Sequence, residues 1–209
     1  MIYNDFNGIL LSALGLPSDD SYSRGIGRIC KEDGWICPPC TDMRRKMRFL
    51  HTSDWHLGMT FRGGVSYALD QKYVIEKICQ IAVDEKVDGI LLAGDVFDKS
   101  IASAEALHVY DEAMTYICAT LEIPVYVIAG NHDGAERISQ CNELLKKSGL
   151  YIAGSLSDKP QVVNVGDVDI YLLPWISTDR VKATYPDKAG EINSMEDAYK
   201  VVLDKYRES

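Results

Sequence analysis

The chain has 209 residues, of which 46% are hydrophobic and 25% are charged. This composition is typical of a globular domain with a hydrophobic core, and it excludes collagen-like, mucin-like and wholly disordered chains. No apolar run approaches the roughly 20 residues of a bilayer span, and the N-terminal region lacks a signal-peptide pattern. We therefore expect a cytoplasmic protein.

The formal net charge is −9, from 31 acidic and 22 basic side chains. Residues 1–46 contain six of each sign, so the whole excess lies in residues 47–209. Proteins that hold nucleic acid by neutralising its phosphates are usually basic. If residues 47–209 act on nucleic acid, something other than their net charge must attract it.

The composition changes at Met47. Residues 1–46 are rich in Gly, Ser, Asp and Pro and show no sustained hydrophobic period, so we expect a poorly ordered leader. The run from Arg44 to Lys46 is also what a purine-rich ribosome-binding sequence would encode. On that interpretation Met47 is the native start and residues 1–46 are not native.

The six cysteines form two groups. Cys37 and Cys40 have the spacing of half a zinc site, but only Cys30 is nearby as a third ligand, so we do not predict a structural zinc. The other three lie in apolar, helix-like segments and are predicted to be reduced core thiols: Cys79, Cys118 and Cys141.

After Met47, apolar strands alternate with amphipathic helices. In chain order the pattern predicts a strand at 48–52, a helix at 67–83, a strand at 89–93, a helix from Ser103 to 120, a strand at 124–129, a helix at 136–147, a strand at 151–152, a hairpin of 161–165 with 169–173, and a last helix opened by a capping box at Ser194. The predicted buried faces are Val74, Ile78, Ile81 and Ala82 in the first helix and Leu107, Tyr110, Met114 and Ile117 in the second. This alternation favours right-handed crossovers and a mostly parallel sheet.

Polar residues follow three of these strands. The first strand leads into Asp54 and His56, the second into Asp95, and the third into Asn131 and His132. Ligands of parallel sheets gather beyond the carboxyl ends of the strands, so we expect these side chains to meet at one edge. Two carboxylates, an imidazole and an amide oxygen form a mixed ligand set that suits Mn²⁺, Fe²⁺ or Zn²⁺.

The order Asp54-x-His56, Gly94-Asp95, Gly130-Asn131-His132-Asp133 resembles the calcineurin-like metallophosphoesterases. Their fold is an α/β two-sheet sandwich flanked by helices around a binuclear metal site. The segments MRFLHTSDWHLG, LLAGDVFD and VIAGNHD are similar to the corresponding segments of one branch, the SbcD family of bacterial nuclease subunits. The resemblance covers 47 to about 206, and it implies that 47–209 is the N-terminal part of a nuclease domain that is C-terminally incomplete.

The resemblance also implies the metal ligands. The residues matching Asp54 and His56 bind the first ion, the one matching Asp95 bridges both ions, and the one matching Asn131 binds the second. Two divalent metal ions are implied, and we expect Mn²⁺.

We interpret His132 as the acid that protonates or stabilises the leaving group, because it cannot easily act as a ligand beside Asn131. Asp133 is predicted to orient the His132 ring, as carboxylates commonly do for catalytic imidazoles.

The chain departs from the family pattern after His132. The family continues with a Gly-His and a Gly-His-x-His motif, which supply three further ligands, but no histidine follows His132 here. The second ion then keeps only Asp95 and Asn131. We expect weak binding of one metal and little or no nuclease activity from this chain.

Other polar and aromatic residues have plainer interpretations. His51 is predicted to be a hydrogen-bonded core residue or a neighbour of the ligands, and His108 a surface residue. Asp98 either orients a loop or makes a turn or helix cap. Trp55 either shapes a DNA site or packs beneath the ligands, and Trp175 is interpreted as core or domain edge.

Three functions stay open. The resemblance implies a DNA exonuclease and endonuclease that acts in repair and recombination, as a homodimer within a heterotetramer with an SbcC-type ATPase subunit. The same cluster would also serve another metallophosphoesterase, such as a phosphatase or a phosphodiesterase. The third interpretation is an inactive folded fragment that keeps only partner contacts.

Overall fold

The structure is a computed structural model, and it describes residues 46–208. All but the last residue of the predicted leader lies outside the described residues, as do Cys30, Cys37 and Cys40. The predictions for that leader and for those three cysteines therefore stay predictions.

A four-stranded parallel sheet forms the centre of the described region, in the order β1-β2-β3-β4. Its strands are β1 (Phe49–Thr52), β2 (Gly89–Ala93), β3 (Val125–Ile128) and β4 (Leu150–Ala153). The predicted parallel sheet is confirmed. The central strands β2 and β3 are almost continuously apolar because both faces of the sheet are covered.

Two long helices cover one face of this sheet, α1 (Ala68–Asp84) and α2 (Ala104–Thr115), and α2 continues as a π-helix, Tyr116–Thr120. The Ser103 Oγ accepts a hydrogen bond from the Ala106 N–H (3.2 Å) and begins α2 as predicted. Their buried residues join the strands in one core that contains Ile75, Ile78, Val109, Met114 and Ile117.

Two residues predicted for the helix faces are wrong. Val74 is 52% exposed and Leu107 is 51% exposed. Val74 and Ile75 both have helical spacing to the buried Ile78, so the sequence offers two overlapping apolar stripes, and packing selects the stripe of Ile75. In α2 the small Ala106 occupies the buried position instead of its larger neighbour.

The helix predicted at 136–147 is broken into α3 (Ala135–Ile138), α4 (Asn142–Leu145) and a 3-10 turn (Lys146–Ser148). The break lies at Cys141, which has a φ of +58° and is exposed, so its prediction as a core thiol is wrong. The Ser139 Oγ donates to the Ala135 carbonyl (2.9 Å), a local bond of the kind that competes with helix propagation. Cys79 is buried and Cys118 is half-buried.

The other face of the sheet carries an antiparallel hairpin, β5 (Gln161–Val165) and β6 (Val168–Leu172). Val163 and Leu172 of the hairpin pack with Tyr126 and Ala153 of the parallel sheet. A parallel sheet flanked by helices, with a second small antiparallel sheet, is the arrangement expected from the sequence.

Three helical segments follow the hairpin: α5 (Thr178–Thr184), a 3-10 helix (Pro186–Glu191) and α6 (Met195–Arg207). The first two were not predicted. They share a small separate core that includes the fully buried Ile176, Val181 and Val202. The predicted capping box of α6 is present. None of the helices within residues 46–208 has the length and apolar character needed to cross a membrane.

Candidate metal centre

The candidate ligands follow three adjacent parallel strands. Asp54 and His56 come after β1, Asp95 comes after β2, and Asn131 comes after β3. Because the carboxyl ends of parallel strands meet at one edge of a sheet, the topology delivers all of these residues to the same place.

The segments after β1 and β2 remain paired beyond the end of the sheet. The backbone N–H of Asp54 donates to the Gly94 carbonyl (3.1 Å), and the N–H of His56 donates to the Asp95 carbonyl (3.0 Å). The N–H of Leu57 continues the series to the Val96 carbonyl (2.9 Å). These bonds fix the first two ligand-bearing segments relative to each other without help from a bound ion.

Asp54, His56 and Asp95 each offer a ligand atom, and these atoms lie within 4.8 Å of one another. The His56 Nε2 lies 3.7 Å from the Asp54 Oδ1, which is too long for a hydrogen bond and leaves room for a shared cation. The His56 Nδ1 is buried with no hydrogen-bond partner, a costly state for a ring nitrogen. Nitrogen and carboxylate donors in this arrangement fit a divalent transition-metal ion.

A second group shares His56. The side chains of His56, Asp98 and His132 also offer ligand atoms within 4.8 Å of one another. The His56 Nδ1 lies 3.8 Å from the Asp98 Oδ1, and the two imidazole rings meet edge to face at 5.0 Å between centroids. The sequence analysis predicted that Asp98 orients a loop or makes a turn or helix cap, and it did not identify Asp98 as a member of this group.

Asp98 also positions His132 through its backbone. The Asp98 carbonyl oxygen lies 2.9 Å from the His132 Nδ1. Because a carbonyl only accepts, Nδ1 carries a proton in this bond, and Nε2 is the ring nitrogen that this bond does not use. This bond raises the pKa of His132 above 6.5, and the negative charges of Asp95, Asp98 and Asp133 raise the pKa further.

The predicted pairing of Asp133 with the His132 ring is wrong. Asp133 is buried, and its carboxylate accepts hydrogen bonds from the backbone N–H groups of Phe97 (2.8 Å), Gly130 (2.8 Å) and Val96 (3.2 Å). It therefore ties the segment after β2 to the segment after β3. Backbone donors are invisible in a sequence, so the pattern alone suggested the neighbouring imidazole as the partner.

Asn131 lies beside the first group. It is exposed and, with Asp95, borders a cavity of about 260 Å³. Gly130 allows the segment after β3 to lie close to Asp95, because a Cβ at position 130 would lie 2.1 Å from the Asp95 Oδ1. Asp95 in turn accepts a hydrogen bond from the His132 backbone N–H (3.0 Å), so the segments after β2 and β3 interlock directly.

Three candidate ligands have unusual backbone conformations. The φ angles of Asp54, His56 and Asp95 are +56°, +43° and +49°, in the left-handed region that favours glycine. Strained backbone of this kind clusters at functional sites, where the surrounding structure maintains it.

The remaining candidates are settled by exposure and contacts. His51 is exposed, because it points outward from the edge strand β1, so its prediction as a core residue is wrong. His108 is on the surface as predicted, and its Nε2 lies 3.1 Å from the Oε1 of Glu112. The Trp55 indole packs against the main core and donates to the Thr52 Oγ1 (3.0 Å), which favours the packing interpretation. Trp175 is 51% exposed, so it belongs to an edge and not to the core.

The chain is similar to nuclease subunits and to a phosphoesterase of known structure. The chain is 33% identical over 145 residues to the SbcD subunit of the nuclease SbcCD from Staphylococcus saprophyticus. It is 34% identical over 145 residues to the protein of the same name in Staphylococcus epidermidis. Each alignment covers 69% of this chain and 38% of the relative, so the chain spans well under half the length of these relatives.

A solved structure, the phosphoesterase Yfce from E. coli, is similar over 59% of this chain and 55% of its own, with 13% identity and a TM-score of 0.31. The model of the family described as calcineurin-like phosphoesterase matches residues 47–207. This chain belongs to the calcineurin-like phosphoesterase family.

Proposed function

We propose that this chain carries part of the active site of a metal-dependent DNA nuclease of the SbcD type, which hydrolyses phosphodiester bonds. The observation that carries the proposal is the convergence of Asp54, His56 and Asp95 within 4.8 Å, beside the imidazole of His132. The two staphylococcal relatives named as nuclease subunits support a nuclease activity, and the family resemblance implies DNA as its substrate.

The ligand roles are those that the family resemblance implies. Asp54 and His56 would hold the first ion together with Asp95, and Asp95 and Asn131 would hold the second. We propose two divalent ions. The mixed nitrogen and oxygen donors suit Mn²⁺, Fe²⁺ or Zn²⁺, and the family resemblance favours Mn²⁺ among them. When bound, such ions polarise a phosphodiester and stabilise its developing charge.

His132 is proposed as the acid for the leaving oxygen. Its Nδ1 donates to the Asp98 carbonyl at 2.9 Å, so the proton for the leaving oxygen would come from Nε2 of the doubly protonated ring, which the raised pKa of His132 favours. Asp133 is proposed as a positioning residue, because it holds the backbone on both sides of the site and does not contact the ring of His132.

The 209 residues contain no histidine after His132. Of the ligands that the resemblance implies for the second ion, this sequence supplies Asp95 and Asn131, so we expect this polypeptide by itself to bind one ion more tightly than the other. We also expect it to hydrolyse DNA slowly.

The partners are part of the proposal. An SbcC-type ATPase subunit would complete the nuclease, with a homodimer of the present chain inside a heterotetramer that acts in cytoplasmic DNA repair and recombination. This arrangement answers the problem of the net charge of −9, because bound cations and the partner would attract the DNA. The leader of residues 1–46 has no role in the proposal.

The metal site is tested by calorimetric titration of Mn²⁺ into the whole chain. Asp95→Asn removes a carboxylate charge shared by both sites, and we expect at least a tenfold loss of affinity, since even residues behind the ligands commonly contribute that much. Asp111→Asn is the matched control, because Asp111 is exposed on α2 and its side chain makes no bond to any residue between 46 and 208. Equal affinity in Asp95→Asn and wild type would refute the site.

The substrate class is tested with a panel of duplex DNA, single-stranded DNA, bis(p-nitrophenyl) phosphate and a phosphoserine peptide. Faster hydrolysis of DNA than of the peptide would support the nuclease. The reverse order would favour a phosphatase. Hydrolysis of none of these substrates, together with no binding of Mn²⁺, would favour a folded module that acts through partner contacts.

A further inference from the structure

Trp175 is an exposed aromatic residue between two cavities at the candidate metal centre. Its side chain is 51% exposed, and it borders both the cavity of about 260 Å³ and another of about 510 Å³. Both cavities also border Gly130 and Asn131. The indole therefore lies beside the edge where the candidate ligands meet.

The backbone of Trp175 is held on both sides. Its N–H donates to the carbonyl of Ala129 at the end of β3 (2.8 Å), and the next residue, Ile176, is fully buried in the small core. The polypeptide is thus anchored before and after the ring while the ring itself stays outside. A fixed, exposed aromatic face can stack with a nucleobase at a small conformational cost.

Arg180 lines the larger of the two cavities. The Oγ of Ser177 accepts from the Arg180 N–H (3.2 Å) and Val181 is fully buried, so the first turn of α5 is fixed at this position. The Arg180 guanidinium is exposed and forms no ion pair or hydrogen bond with another residue in the 46–208 range. It is therefore available to a ligand.

The other charged groups around this cavity are already engaged. The carboxylate of Asp133 is surrounded by backbone N–H groups, and Glu136 accepts a hydrogen bond from Ser155. The guanidinium of Arg137 donates to the carbonyl of Ser100 (2.9 Å). Two cations line this cavity, Arg137 and Arg180, and Arg180 is the one whose guanidinium makes no bond to another residue of the described range.

We infer that Trp175 and Arg180 form a subsite for one unpaired nucleotide of the DNA strand, next to the bond that is cut. The base stacks on the indole, and the guanidinium binds a phosphate oxygen. The inference rests on the proposed nuclease function. The cavity of about 510 Å³ has the size of a small-molecule site, typically about 300–1,000 Å³. A paired base is already stacked on both sides, so the indole selects a nucleotide that has left the duplex.

The test measures binding of short fluorescent oligonucleotides to the whole chain by anisotropy in Mn²⁺, with phosphorothioate linkages that resist hydrolysis. Two single strands are compared, oligothymidylate and a strand of equal length with abasic residues. For Trp175→Ala we expect the affinity for oligothymidylate to fall about five- to 150-fold, the range of a lost base stack, and the affinity for the abasic strand to stay the same. Trp175→Phe should retain most of the affinity.

Arg180→Ala should weaken both strands equally and lower the slope of log affinity against log salt by about 0.7. The controls are Tyr116→Ala, an aromatic side chain 48% exposed in the π-helix, and Lys147→Ala, an exposed cation at the opposite end of the sheet. Neither control should change either affinity.

The inference is overturned if the affinity of Trp175→Ala for both strands falls equally, if neither affinity changes, or if the wild type binds neither strand. These outcomes are distinguishable from failure of the proposed function, which is read from metal-dependent hydrolysis of DNA by the wild type in the substrate panel.

Discussion

Removal of the Asp133 carboxylate should mainly lower the free energy of unfolding. Its direct effect on the chemistry of the site should be smaller. The carboxylate accepts three backbone N–H groups, two at 2.8 Å and one at 3.2 Å, and the residue is only 8% exposed. A hydrogen bond to a charged group contributes about 1.5–3 kcal/mol. Counting the two short bonds, we expect Asp133→Ala to lower the free energy of unfolding by about 3–5 kcal/mol.

Asp133→Asn removes the charge of the side chain and keeps its shape. Oδ2 accepts from Val96 and Gly130, while Oδ1 accepts from Phe97. An amide can keep its oxygen at the Oδ2 position and lose only the bond to Phe97, so we expect a smaller decrease of about 1–3 kcal/mol.

Urea unfolding of the wild type and both variants, followed by circular dichroism, gives these differences by linear extrapolation. Asp111→Asn again serves as the exposed control and should stay within about 0.5 kcal/mol of the wild type. A decrease below about 1 kcal/mol for Asp133→Ala would refute the reasoning. Lost activity with unchanged stability would instead restore a direct role for Asp133 in orienting His132.

Two further regions give separate predictions. Gly130→Ala places a Cβ 2.1 Å from the Asp95 Oδ1, so the Mn²⁺ affinity measured by calorimetry should fall about tenfold or more, and an unchanged affinity would contradict the geometry. Ser194→Ala removes the cap of α6 and should lower the free energy of unfolding by about 1 kcal/mol, as measured in urea. The pKa of Asp197 lies below 3.8, chiefly because its carboxylate accepts from the Asn193 N–H and also from Ser194. The contribution of Asp197 to stability is therefore complete above pH 3.8 and is lost as the pH falls through the lower pKa of the folded state. In that acid range, the difference in free energy of unfolding between wild type and Asp197→Asn should shrink.

The strand ends could be predicted because two simple patterns coincide there. Apolar runs such as Gly89–Ala93 identify buried parallel strands, and the polar residues that follow each run must lie at the same edge of the sheet. This reasoning placed Asp54, His56 and Asp95 together without any knowledge of side-chain conformations. The capping box at Ser194 was similarly local, since all its partners lie within four residues.

Contacts with the backbone could not be predicted. The bonds of Asp133 to three N–H groups, and of the Asp98 carbonyl to His132, depend on how two loops cross in space. The division of the helix at Cys141 has the same origin, because Asn142 turns its side chain to the N–H of Ile152 in β4 (3.2 Å). Hydrophobic periodicity reports which face is buried and carries no information about these bonds.

Because the backbone is left-handed at Asp54, His56 and Asp95, the residues that best stabilise the fold at these positions are not the residues that supply ligand atoms. Glycine would relax the polypeptide at each of these positions but would remove a donor atom. Selection for thermal stability alone would therefore favour loss of the candidate ligands. A protein that keeps these side chains must tolerate a less stable fold.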